Sequence, residues 1–185
     1  MKRLNMVDLI TYIFYLLLIG TGLWDWFLRN GEKTFRIILI FGTIEVFRII
    51  YKNTFMNKYK VIYYCVLSFI FISMYLANIF NFYGIPYYDK ILHLISGILI
   101  SPFGYIFSKE LLGSELKTKR ERNFLILFSL IFAIAIAGIW EIWEFSTDYI
   151  FNFTAQGGLV DTMLDIICGT IGGIISSIII FFNTK

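Results

Sequence analysis

Six of the thirteen acids in this 185-residue chain, and its only histidine, fall in three short stretches. They are Asp89 with His93, then Glu141, Glu144 and Asp148, then Asp161 and Asp165. Within each stretch the offsets are three or four residues, which puts the side chains on one face of a helix. One imidazole among several carboxylates is a hard, oxygen-rich ligand set. It suits a divalent metal ion such as Mg²⁺, Mn²⁺, Ca²⁺ or Fe²⁺, and also Zn²⁺. The expected ligands are His93, Glu141, Glu144 and Asp165. Asp89 or Asp161 would orient His93 or act as a base toward water, so His93, Asp89 and Asp161 are the catalytic candidates. Two ions at such a site could clamp a phosphoryl group. Like charges this close cannot all stay ionised and unpaired, so the alternatives to a metal are protonated acids that shuttle protons or a hydrated outer cavity.

Simpler roles compete for some of these residues. Asp161 also suits a helix cap, and Asp148, Asp89 and Lys90 suit the rim of a membrane. Glu141, Glu144 and Asp165 lie within apolar sequence, where a carboxylate is costly without a function or a partner. No HExxH zinc motif, phosphate-binding glycine loop or nucleophile elbow occurs. A single histidine excludes a three-histidine zinc site.

The elements that must carry these residues are membrane helices. With 58% hydrophobic residues and a mean hydropathy of +0.76, the chain has more apolar surface than a soluble domain of this length can bury. A span needs about 20 mainly apolar residues. Six can be drawn, at about 8–28, 34–51, 59–82, 88–112, 123–150 and 161–182, giving an all-α polytopic bundle in a single integral membrane domain, residues 1–185. The first is expected to be retained, since no small-residue cleavage site follows it. The second is the weakest, because it contains Arg36, Glu45 and Arg48; Glu45 and Arg48, three apart, would form a structural ion pair. Asp25 points either to the same cavity or to the headgroups. Cys65 and Cys168 lie in apolar runs and read as packing residues.

Basic residues set the orientation. Lys2, Arg3, Lys52, Lys58, Lys60, Lys109, Lys117, Lys119, Arg120, Arg122 and Lys185 fall on one side of six spans. Arg29, Lys33, Arg36 and Lys90 fall on the other. Both termini are therefore expected in the cytoplasm and the acidic cluster outside it, in the outer half of the membrane. Trp24, Trp26, Trp140 and Trp143 then form an outer aromatic belt. Continuing by fours below the acids gives Gly97 and Ser101 on the fourth helix and Gly169, Gly173 and Ser177 on the sixth. Small residues at this spacing let backbones approach closely, so the fourth and sixth helices are expected to pack along these stripes.

Three segments carry a resemblance: YDKILHLISG from Tyr88, WEIWEF from Trp140 and QGGLVDTMLDIICGTIGG from Gln156. Together they resemble bacterial inner-membrane proteins of the YjdF kind over roughly residues 85–175. Gly158 stands where that pattern carries an acid. The segments are also similar, more loosely, to VanZ-like membrane proteins linked to glycopeptide-antibiotic tolerance, although Glu144 and Asp165 replace amides of that pattern. The resemblance implies the bacterial cytoplasmic membrane.

The resulting expectation is a metal-dependent membrane hydrolase or transferase acting on a lipid or lipid-linked small molecule. A proton- or cation-coupled transporter and a non-catalytic envelope factor of VanZ-like type are the alternatives. Nothing in the charge pattern calls for nucleic acid, because the basic residues sit in loops and not on a stripe.

Overall fold

Long apolar runs with only two prolines leave the backbone little choice but uninterrupted helix. The computed structural model describes residues 5–113, 118–152 and 155–184, and among these there is no strand. Lys2, Arg3, Lys117 and Lys185, used above for orientation, lie outside the described residues. The helices are α1 (Met6–Arg29), α2 (Thr34–Asn53), α3 (Lys60–Ile79), α4 (Tyr88–Leu112), α5 (Lys119–Phe151) and α6 (Leu159–Asn183). Five of them are long and apolar enough to cross a membrane; α2 is the exception. The charges Arg36, Glu45 and Arg48 fall in every 18-residue stretch of α2, which sets it apart from the others.

Boundaries shift where local chemistry is stronger than hydropathy. α5 starts at Lys119, not near Asn123, because Thr118 and Glu121 form a capping box. α3 stops at Ile79, ahead of Asn81 in a left-handed conformation, and its Phe71–Leu76 turn is π-helical. α6 starts at Leu159, after Gly158 at φ 99°. Asp161 is therefore inside the first turn and does not cap the helix.

The chain falls into two compact units, Met1–Gly84 and Ile85–Lys185, where the sequence reads as a single domain. In the first unit, side-chain bonds tie the helices together. Thr11 and Thr21 of α1 meet the hydroxyls of Tyr63 and Tyr75 of α3 at 2.6 and 2.7 Å. The Glu45–Arg48 pair forms at 3.1 Å and extends to Tyr15, which donates to Glu45, and to Asp8, which also takes Lys52 at 2.7 Å. Arg36 donates to the Asn78 carbonyl. Asp25 is fully buried and accepts from the Lys33 amide and the Thr34 hydroxyl. Its carboxylate thereby closes the α1–α2 turn.

In the second unit α4, α5 and α6 each pack on the other two, and the contact between α4 and α6 is backbone to backbone. A Cβ on Gly97 would collide with the Gly169 carbonyl, and one on Gly172 with the Leu94 carbonyl. The expected stripes are thus in contact, with Gly172 as an addition. α5 contributes a third stripe: Ala133 and Ala137 lie 2.9 Å from where Cβ atoms on Gly173 and Gly169 would sit. Ser101, Ser129 and Ser177, one from each helix, close a buried hydroxyl triangle at 3.0–3.4 Å. Cys65 and Cys168 are free thiols.

Candidate functional site

The close approach of α4 and α6 decides what meets at their N-terminal ends. One turn above Gly97 on α4 is His93, and one turn above Gly169 on α6 is Asp165. One turn above Ala137 on α5 is Glu141. All three are nearly removed from solvent, at 7%, 1% and 3% exposure.

His93 Nε2 is the centre of the group. It lies 3.7 Å from Glu141 Oε1, 3.8 Å from Asp165 Oδ1 and 3.9 Å from Asp89 Oδ1. Asp89, His93 and Asp165 can each offer one ligand atom, all within 4.8 Å of one another. Donors that share an ion at about 2.0–2.6 Å lie up to about 5 Å apart, so this spread fits one cation. Glu141 Oε1 is buried and receives no hydrogen bond, whereas buried Asp165 Oδ1 has the Lys90 ammonium 2.8 Å away. An oxygen such as Glu141 Oε1 is rare, because it has given up water without replacement.

Lys90 is the cation next to this group. Its ammonium lies 2.8 Å from Asp165, where it donates to Oδ2, and 3.5 Å from Asp89. It also donates to Asp161. Its side chain is only 17% exposed, so it is an interior partner and not the rim residue expected. One ammonium faces three carboxylates, Asp89, Asp161 and Asp165, and Glu141 is a fourth acid in the group with no ion pair to it.

The remaining candidates have other partners. Glu144 accepts from the Trp140 indole at 2.9 Å. Asp161 is held by Lys90. Asp148 binds the amides of Ala155 and Gln156 at 2.9 and 2.8 Å and so fastens the strand of chain entering α6. Gln156 in turn donates to the Thr162 hydroxyl at 3.0 Å. The structure therefore gathers Asp89, His93, Glu141 and Asp165 at one point, with Asp161 linked through Lys90 and Glu144 engaged one turn away.

Sequence reasoning missed Lys90 and the α5 stripe. The stripe had a signal, since Ser129, Ala133, Ala137 and Glu141 repeat by fours. Lys90 had a fainter one, its place three residues before His93 on the same helix.

Comparison with known proteins agrees on the broad class. A family model described as "Predicted membrane protein (DUF2238)" matches residues 9–185. That family is YjdF-like. A curated relative, an uncharacterised protein of Thermotoga maritima, is 32% identical over 112 residues. The match covers 57% of this chain and 54% of the relative, so the chain spans about half the length of that protein. No solved structure matches.

Proposed function

We propose that this chain, which belongs to the DUF2238 family of predicted membrane proteins, holds a divalent cation between Asp89, His93, Glu141 and Asp165 and uses it on a lipid or lipid-linked substrate. The observation that carries the reading is Glu141 Oε1. It is buried, receives no hydrogen bond, and points at His93 Nε2 from 3.7 Å, beside Asp165 Oδ1. A cation would satisfy these oxygens together and offset the excess of carboxylates over the single ammonium. A hard ion such as Mg²⁺ or Mn²⁺ matches the oxygen-rich set. An ion here would polarise a phosphoryl or carbonyl oxygen or activate water. With His93 Nε2 given to the ion, Asp161, outside the four ligands and with a side chain 37% exposed, is the carboxylate left to act as a base toward water. The bias of basic residues toward one set of loops supports an extracytoplasmic site in a bacterial inner membrane.

Elemental analysis of detergent-purified protein tests this. Wild type should carry about one equivalent of a divalent metal at physiological divalent concentrations, lost in His93→Ala and in Asp165→Asn. Wild type without bound metal ends the reading. With metal present, hydrolysis of lipid-linked phosphates is the activity to screen.

Cation-coupled transport is the second reading. The buried Ser101–Ser129–Ser177 triangle favours it. Ser101 lies eight residues beyond His93 on α4, about 12 Å further along the helix axis, so polar groups continue below the site. Cation uptake into reconstituted vesicles that Ser101→Ala abolishes while metal binding persists would favour transport over chemistry.

A further inference from the structure

The residues that would hold the cation are already partly occupied by a charge of the protein's own. Lys90 Nζ contacts Asp165 at 2.8 Å and Asp89 at 3.5 Å. These are two of the three residues able to give ligand atoms to one ion. Two positive groups so close, in a site this buried, repel strongly. A divalent ion that takes Asp165 and Asp89 therefore removes the attraction that holds the ammonium and adds a repulsion.

We infer that Lys90 is the resident counter-ion of this site and exchanges with the divalent cation on Asp165, the two being alternative occupants. The inference rests on the cation-site reading above and adds what governs occupancy. Glu141 Oε1, buried and without a hydrogen bond, shows that the ammonium leaves part of the site unsatisfied. Lys90 has somewhere to go. Asp161, to which it already donates, has a side chain 37% exposed, against 2% for Asp165. A lysine carries a compact charge on a flexible four-carbon stem, so it can follow Asp161 outward while its backbone stays in α4. An arginine would hold a carboxylate through two parallel bonds and vacate it less readily.

The exchange sets an unusual sign. Removing an ordinary site residue weakens binding, but removing Lys90 strengthens it. Titration with Mn²⁺ of full-length wild type, Lys90→Gln and Lys90→Arg in detergent reads this. Lys90→Gln should bind about 10-fold tighter, and Lys90→Arg no tighter than wild type. Binding by wild type with unchanged or weaker affinity in Lys90→Gln overturns the exchange and leaves the site. No binding by either protein removes the site and the exchange together. A second measurement needs no variant. Saturating Mn²⁺ should raise acylation of Lys90 in wild type several-fold, read by peptide mass spectrometry with Lys109 as internal reference. Protection of Lys90 by bound Mn²⁺, or an unchanged rate, overturns the exchange.

Discussion

The two units treat charge and glycine in opposite ways. In Met1–Gly84, Asp8, Glu45, Arg48 and Lys52 form one connected network, and Asp25 is taken up by the amide and hydroxyl of a turn. In Ile85–Lys185, buried Glu141 Oε1 receives no hydrogen bond and faces the only imidazole, and Asp165 Oδ1 shares one ammonium with Asp89 and Asp161. The glycines inside the spans differ where α4 meets α6. A Cβ on Gly20, Gly22 or Gly42, or on Gly138 of α5, would meet nothing within 4 Å, whereas one on Gly97 or Gly172 would strike backbone. The first unit joins its helices through long side chains and pairs its carboxylates with cations or donors from either helix, leaving Arg48 Nε as its one buried side-chain nitrogen or oxygen without a hydrogen bond among the described residues. The second brings backbones together, which fixes where the polar ends of three helices meet and leaves some of those ends without partners. Charges that complete themselves stabilise a fold; charges held apart from partners are available to a ligand.

Breaking the network of the first unit should give the largest effect. Arg48→Met leaves Asp8 and Glu45 short of their shared guanidinium, and stranding half of such a pair costs about 3–5 kcal/mol. Thermal unfolding in detergent should show that loss, while metal content of the surviving folded protein stays at the wild-type level. Loss of metal at unchanged stability would erase the division between the two units.

Much of this division could be read before any coordinates. Asp89 with His93 and Asp161 with Asp165 are one turn apart, and helical periodicity is a strong signal. The glycines below them announced a close contact because glycine has few other reasons to recur by fours in a span. The third stripe was harder to see, since alanines are common in apolar helices and Ala133 and Ala137 look like ordinary filler. Lys90 was not legible for another reason. Where a flexible lysine points depends on which helix faces it, and only the packing of α4 against α6 turns it toward Asp161 and Asp165. Asp25 needed the turn geometry of Asn30 and Gly31 before its partners could be named. α2, with its charges, sat at the edge of what hydropathy can decide.

The glycine contrast gives the next effect. Gly97→Ala forces a methyl into the Gly169 carbonyl, which cannot rotate away as a side chain would. Overpacking of this kind costs about 1–3 kcal/mol, and it pries apart the helices that carry His93 and Asp165 one turn above. Both melting temperature and Mn²⁺ affinity should fall. Gly42→Ala fills open space in a helix and should gain about 0.5–1 kcal/mol through lower chain entropy. Equal responses at the two positions would show that the second unit is not built on backbone contact.

The smallest effect is expected at Glu144, and it separates two descriptions of the site. Its sequence position, three residues after Glu141, makes it a candidate ligand. In the folded chain its Oε1 is taken by the Trp140 indole, whereas Glu141 Oε1 receives no hydrogen bond and lies 3.7 Å from His93 Nε2, next to the Asp89, His93 and Asp165 atoms that can share one ion. A true ligand replaced by an amide should lose the metal as His93→Ala does. A neighbour that contributes only its charge should stay below the about 10-fold change that marks the weakest loss of an orienting partner. Glu144→Gln is therefore expected to titrate with Mn²⁺ close to wild type, and Glu141→Gln to lose most of its affinity. The reverse order would move the centre of the site one turn along α5, toward the end held by Asp148.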